Sequence, residues 1–145
     1  LVGSEMCIRD RHSGVVDYTK NFFEMPRFPI NEKYGEIERF KTILKTLPFP
    51  FKLIKPEDKY IGDKNNPPKV NIQFYDNIKN LKNINCFSNE EDKWRNSKIN
   101  FKSSNDLDII LDGKFTTERG RINCSLREDS GFYRWLGIQF VIKEN

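Results

Sequence analysis

The sequence predicts a mainly β protein, with a C-terminal β-sandwich over residues 69–145 preceded by a strand, an irregular loop and one helix over residues 12–47. Two patterns predict the sandwich. Val70, Ile72 and Phe74 alternate with Asn71 and Gln73, and Ile122, Cys124 and Leu126 alternate with Asn123 and Ser125, the period of half-buried strands. Polar turns such as Asp112-Gly113 and Asp129-Ser130-Gly131 separate short apolar runs, as they do in two-sheet folds. A third observation sets the upstream part off, because there the apolar period lengthens to that of a helix.

Residues 1–11 are set aside first. Leu1 to Asp10 reverse-translate in one frame to CTC GTG GGC TCG GAG ATG TGT ATA AGA GAC, and Arg11 continues the string with AG. It reads as a translated sequencing adapter running into a transposase mosaic end, and such a segment is excluded from fold reasoning. The expectation is therefore the C-terminal piece of a longer protein, with genuine sequence from His12 and any signal peptide upstream.

A short strand is expected around Gly14-Val15-Val16, and Pro26 and Pro29 forbid a helix around Arg27 and Phe28. Over residues 35–47, Ile37, Phe40, Ile43, Leu44 and Leu47 recur at helical spacing, with Glu36, Glu38, Lys41 and Lys45 outward and Pro48 as the stop. This amphipathic helix has nothing of its own to pack on, so its partner is expected upstream. Pro48, Pro50, Pro56, Pro67, Pro68 and Gly62 mark residues 48–68 as a surface connector and place the domain boundary there. Further strands are expected at 81–87, 98–101, 107–111 and 132–142. The order Cys86, Trp94, Cys124 is similar to an immunoglobulin-like core, where a Trp packs on a disulfide between two sheets, although the Cys-to-Trp interval is short.

The net charge is +4, with a pI of about 8.9. Sixteen Lys stand beside 15 Asn and many Ile, the usage of an AT-rich genome, and the cations are interspersed rather than striped. No nucleic-acid partner is expected. No apolar run approaches a membrane span. Twelve Phe supply material for a packed core. A single His and no CxxC leave no zinc site in the chain.

Several segments together resemble the C-terminal region of bacterial polysaccharide deacetylases related to chitooligosaccharide deacetylases. They are His12-Ser13-Gly14-Val15, Met25-Pro26-Arg27-Phe28-Pro29-Ile30-Asn31-Glu32-Lys33-Tyr34-Gly35, Leu47-Pro48-Phe49-Pro50, Asn66-Pro67-Pro68, Arg119-Gly120-Arg121-Ile122-Asn123-Cys124 and Arg134-Trp135-Leu136-Gly137-Ile138-Gln139-Phe140-Val141. The resemblance implies that residues 12–47 are the end of a catalytic (β/α) barrel and that the sandwich is an accessory domain. It implies a divalent metal, with zinc the expected ion, in the full-length enzyme, where the metal polarises the acetyl carbonyl and activates water. No Asp-Asp pair or two-His motif matches here. The expected fragment is thus inactive, holds no cofactor, and meets its polysaccharide through the missing catalytic domain. The alternative is a stand-alone sandwich that binds glycans or a protein.

Among single residues, His12 is read as structural or exposed, with a barrel-rim position as the alternative, and Arg27, in its proline-flanked loop, as the better candidate to lie near substrate. The last strand is apolar on both faces. Tyr133 and Trp135 could stack a sugar ring, while the preferred reading buries that face against the barrel or the core. Period-2 alternation points Cys86 and Cys124 into the interior, and the implied export to the periplasm or beyond is where a disulfide between them persists. Two reduced core thiols are the alternative.

Overall fold

The structure is a computed structural model and describes residues 13–17, 25–30, 35–75, 78–91 and 93–143. It is a mainly β protein of two sheets. Helix α1 (Ile37–Leu44) is followed by β1 (Thr46–Pro48), β2 (Phe51–Lys55), β3 (Tyr60–Ile61), β4 (Val70–Phe74), β5 (Asn85–Glu90), β6 (Lys93–Asn96), β7 (Lys98–Phe101), β8 (Asp106–Ile110), β9 (Arg119–Arg127) and β10 (Tyr133–Ile142). One sheet runs β1-β10-β9-β5-β6, with β3 also on β10, and the other runs β2-β4-β8-β7. The chain passes from one sheet to the other at Ser97, between β6 and β7, whose N–H donates to the Cys86 carbonyl at 2.9 Å.

Alternation places the core. Val70, Ile72, Phe74, Leu107 and Ile109 of the smaller sheet and Ile122, Cys124, Leu126, Leu136, Ile138 and Phe140 of the larger one are all buried in one cluster. Each such side chain taken from water stabilises the fold by roughly 1.5–3 kcal/mol. Phe49 closes one end against Phe74, with ring centroids 5.6 Å apart, and Phe115 closes the other against Phe140 at 6.4 Å. The β9–β10 hairpin turns where Asp129-Ser130-Gly131 placed it. Gly131 has φ +83°, and its N–H donates to the Glu128 carbonyl at 3.0 Å, a left-handed position that glycine adopts without steric cost.

The proline-rich segment expected as a connector belongs to both sheets instead. Thr46, Leu47 and Pro48 pair in parallel with Tyr133, Arg134 and Trp135, while β2 pairs with β4 and β3 with Val141 and Ile142. Its prolines lie at or just beyond strand ends, where a missing N–H costs nothing. The sandwich therefore begins at Thr46, inside the residues assigned to the barrel. Helix α1 correspondingly stops at Leu44, because Leu47 is drawn into the sheet.

The edge of β10 opposite β9 is covered in three pieces: β1, an isolated antiparallel bridge from Gly14 to Leu136, and β3. The expected strand around Gly14 is that bridge. Cys86 and Cys124 form a disulfide, and they are direct cross-strand partners on β5 and β9 with Cα atoms 4.1 Å apart. The bond lies within one sheet rather than between two, and Trp94 stands exposed on β6 rather than packed on it, so the immunoglobulin-like arrangement of these three residues does not hold.

Candidate functional site

Strand alternation gives the larger sheet an outer face made by Asn85, Phe87 and Asn89 of β5, Arg119, Arg121, Asn123, Ser125 and Arg127 of β9, and Tyr133, Trp135, Gly137 and Gln139 of β10. The upstream segment lies over part of it. The Phe28 ring meets Trp135 edge-on with centroids 6.2 Å apart, and Ser13 Oγ donates to Asn123 Oδ1 at 3.2 Å. Gly137 permits this approach, since a Cβ there would stand 2.6 Å from the Ser13 carbonyl oxygen. Trp135 is thus the floor beneath a chain segment, its Nε1 buried without a hydrogen-bond partner among the described residues. Tyr133 is half-buried, with the Arg127 guanidinium 5.9 Å from its ring centroid. The two do not make an open stacking platform. His12 lies outside the described residues, and Arg27 is exposed in the segment that carries Phe28.

Among the exposed aromatics, Trp94 stands on the edge strand β6 of this face, 59% exposed. Sequence reasoning placed it in the core. Its run Lys93-Trp94-Arg95-Asn96, one aromatic among polar residues, carried the contrary signal. Trp94 is the register partner of Asn89, Asn89 of Arg121, and Arg121 of Gln139. An aromatic, an amide, a guanidinium and an amide therefore form one row across four strands. Beside the row, Asn89, Glu91, Thr117, Glu118, Arg119 and Arg121 line a cleft of about 470 Å³. A second cleft of about 490 Å³ lies at the Tyr133 end of the face, lined by Asn83, Asn85, Ser125, Arg127 and the 128–131 turn.

The loop that walls the first cleft is rigidly held. The Glu90 carboxylate is buried and accepts hydrogen bonds from the Thr116 N–H and, at 2.5 Å, the Thr117 N–H, while Arg95 Nη2 donates to its other oxygen at 3.1 Å. Burial opposes ionisation of Glu90, but the two backbone donors outweigh it and hold the carboxyl below its ordinary value. Asn66 clamps Phe115 from the other side, its Nδ2 donating to the Phe115 carbonyl at 2.7 Å and its Oδ1 accepting from the Phe115 N–H at 2.9 Å.

The outer face of the smaller sheet is polar but satisfied within itself. Asn71 donates to Asp106 and Asp108, and Lys102 Nζ is 2.8 Å from Asp108 Oδ1; that contact holds the Asp108 carboxyl below its usual range. Among the described residues no three His, Cys, Asp or Glu side chains group so as to hold a metal ion. No helix among the described residues is long and apolar enough to cross a membrane. Scanned against protein-family models, curated proteins and solved structures, the chain finds no match.

Proposed function

We propose that the chain is the C-terminal part of a polysaccharide deacetylase, an exported enzyme whose metal-dependent catalytic barrel lies upstream and whose accessory domain is this β-sandwich. The observation that carries the reading is the face of α1. Ile37, Phe40 and Leu44 are 64%, 39% and 67% exposed on a helix of 8 residues, too short to persist in water on its own propensity. Such a stripe requires a surface, and the wall of a barrel supplies one. The helix is oriented by Arg39, whose Nη1 donates to the Pro29 carbonyl at 3.0 Å, and the 25–30 segment is in turn seated on Trp135. In this reading the sandwich orients the upstream domain, and Arg27, exposed in the 25–30 segment, lies toward the barrel rim. The Cys86–Cys124 disulfide supports export to the periplasm or beyond.

The experiment is recovery of the upstream coding sequence. It must encode an Asp-Asp pair and a His-rich metal motif, and an open reading frame lacking both removes the enzyme reading. A stand-alone module that binds glycans or a protein is the second reading. It is favoured by the sandwich closing its own core from Phe49 to Phe140 without help from α1, none of whose residues is buried.

A further inference from the structure

The Trp94 row is a surface built to a pattern. Asn89 fixes the hairpin that presents the indole, its Nδ2 donating to the carbonyls of Glu91 at 3.1 Å and Lys93 at 3.3 Å, and Glu91 takes the turn at φ 53°. The backbone that carries the indole is thereby held in place before any ligand arrives, which lowers the ordering cost of binding. Beside it the guanidiniums of Arg119 and Arg121 carry no ion pair among the described residues, and Glu91 and Glu118 line the same cleft. Donors and acceptors are therefore mixed around one flat apolar plate.

We infer that this row is a glycan-binding site, in which a pyranose stacks on Trp94 while its neighbours along the chain hydrogen-bond to Arg121 and to the carboxylates of Glu91 and Glu118 in the cleft beside it. The C–H face of a sugar ring covers the indole, and its hydroxyls, each both donor and acceptor, match a border of guanidinium and carboxylate groups. Asn89 and Gln139 Oε1 are buried, so the groups the row offers to a ligand are the exposed Trp94 and Arg121. Two strand spacings of about 4.8 Å separate Trp94 from Arg121 by about 10 Å, room for a short oligosaccharide laid across the strands. A single-stranded nucleic acid also stacks on aromatics, but its groove is uniformly basic, and Glu91 and Glu118 repel a polyanion here. An acetylated, uncharged polysaccharide is the ligand class; that choice rests on the deacetylase reading, whereas the site rests on the row.

The test is a titration of the full 145-residue chain with the β-1,4 hexamer of N-acetylglucosamine, followed by calorimetry and by tryptophan emission with acrylamide quenching. Saturable binding that shields one tryptophan is expected. Trp94→Ala should weaken binding by about tenfold or more, as loss of an aromatic anchor does, with Trp94→Phe retaining part of it and Arg121→Ala losing several-fold. Trp94 is exposed, so the circular dichroism of each variant should match the parent. Unchanged affinity in Trp94→Ala, no binding at millimolar hexamer, or tighter binding of oligothymidylate than of hexamer would each overturn the site. Acetate release by the extended protein without hexamer binding at Trp94 defeats this inference alone. Binding at Trp94 with no acetate release defeats the enzyme reading alone.

Discussion

Gly120 lies directly beneath the ring of Phe115, so that a Cβ at position 120 would stand 2.3 Å from Phe115 Cγ. The ring cannot retreat, because Asn66 holds the Phe115 backbone by both its N–H and its carbonyl. Gly120→Ala should therefore destabilise the protein by about 1–3 kcal/mol through overpacking. Gly62→Ala, where nothing lies within 4 Å of the added carbon, should change stability by less than about 0.5 kcal/mol. Urea unfolding of the two variants checks the contrast.

Glu90 makes stability depend on pH in a defined direction. Its folded pKa lies below the ordinary 4.5, so the unfolded chain takes up the proton first as the pH falls. The contribution is complete above that ordinary value and disappears as the pH falls through the lowered one. Glu90→Ala strips two backbone donors and Arg95 of their acceptor and should cost about 3 kcal/mol at pH 7. The gap from the parent should narrow at acid pH, and denaturant midpoints measured from pH 7 to pH 3 test it.

The faces of β4 and β9 were legible because period-2 alternation is local: Val70, Ile72 and Phe74, and Ile122, Cys124 and Leu126, point where the pattern says. So was the two-faced apolar character of β10, whose second face is covered by Phe28 and Ser13. The parallel pairing of Thr46–Pro48 with a strand some ninety residues later left no local trace, and prolines that bound short strands read as the prolines of a connector. Of the site, the pattern supplied Tyr133 and Trp135, both outward, but could not show that a distant segment lies on Trp135. Trp94 was missed because its place between two cysteines outweighed its polar neighbours.

Cys86 and Cys124 close a loop with a sequence separation of 38. In the chain-entropy account a cross-link of that span contributes about 4 kcal/mol. The double variant Cys86→Ala/Cys124→Ala should lose an amount of that order, and reductant should lower the denaturant midpoint of the parent but leave that of the double variant unmoved.

Phe28 and Ser13 should shield Trp135 without being needed by the core. In a Trp94→Phe background, where Trp135 alone emits, Phe28→Ala or Gly137→Ala should shift emission to the red and raise acrylamide quenching. Thermal unfolding of the sandwich should stay cooperative. An unshifted spectrum contradicts the packing of the upstream segment on β10.

Acetate release from N-acetylglucosamine oligomers, measured side by side for this chain and for the protein extended by its upstream coding sequence, decides whether the chain belongs to a deacetylase. No release is expected from the chain itself, with or without added zinc, and chelator-sensitive release is expected from the extended protein. Metal-dependent release from the chain alone, or none from a folded extended protein, would contradict that reading.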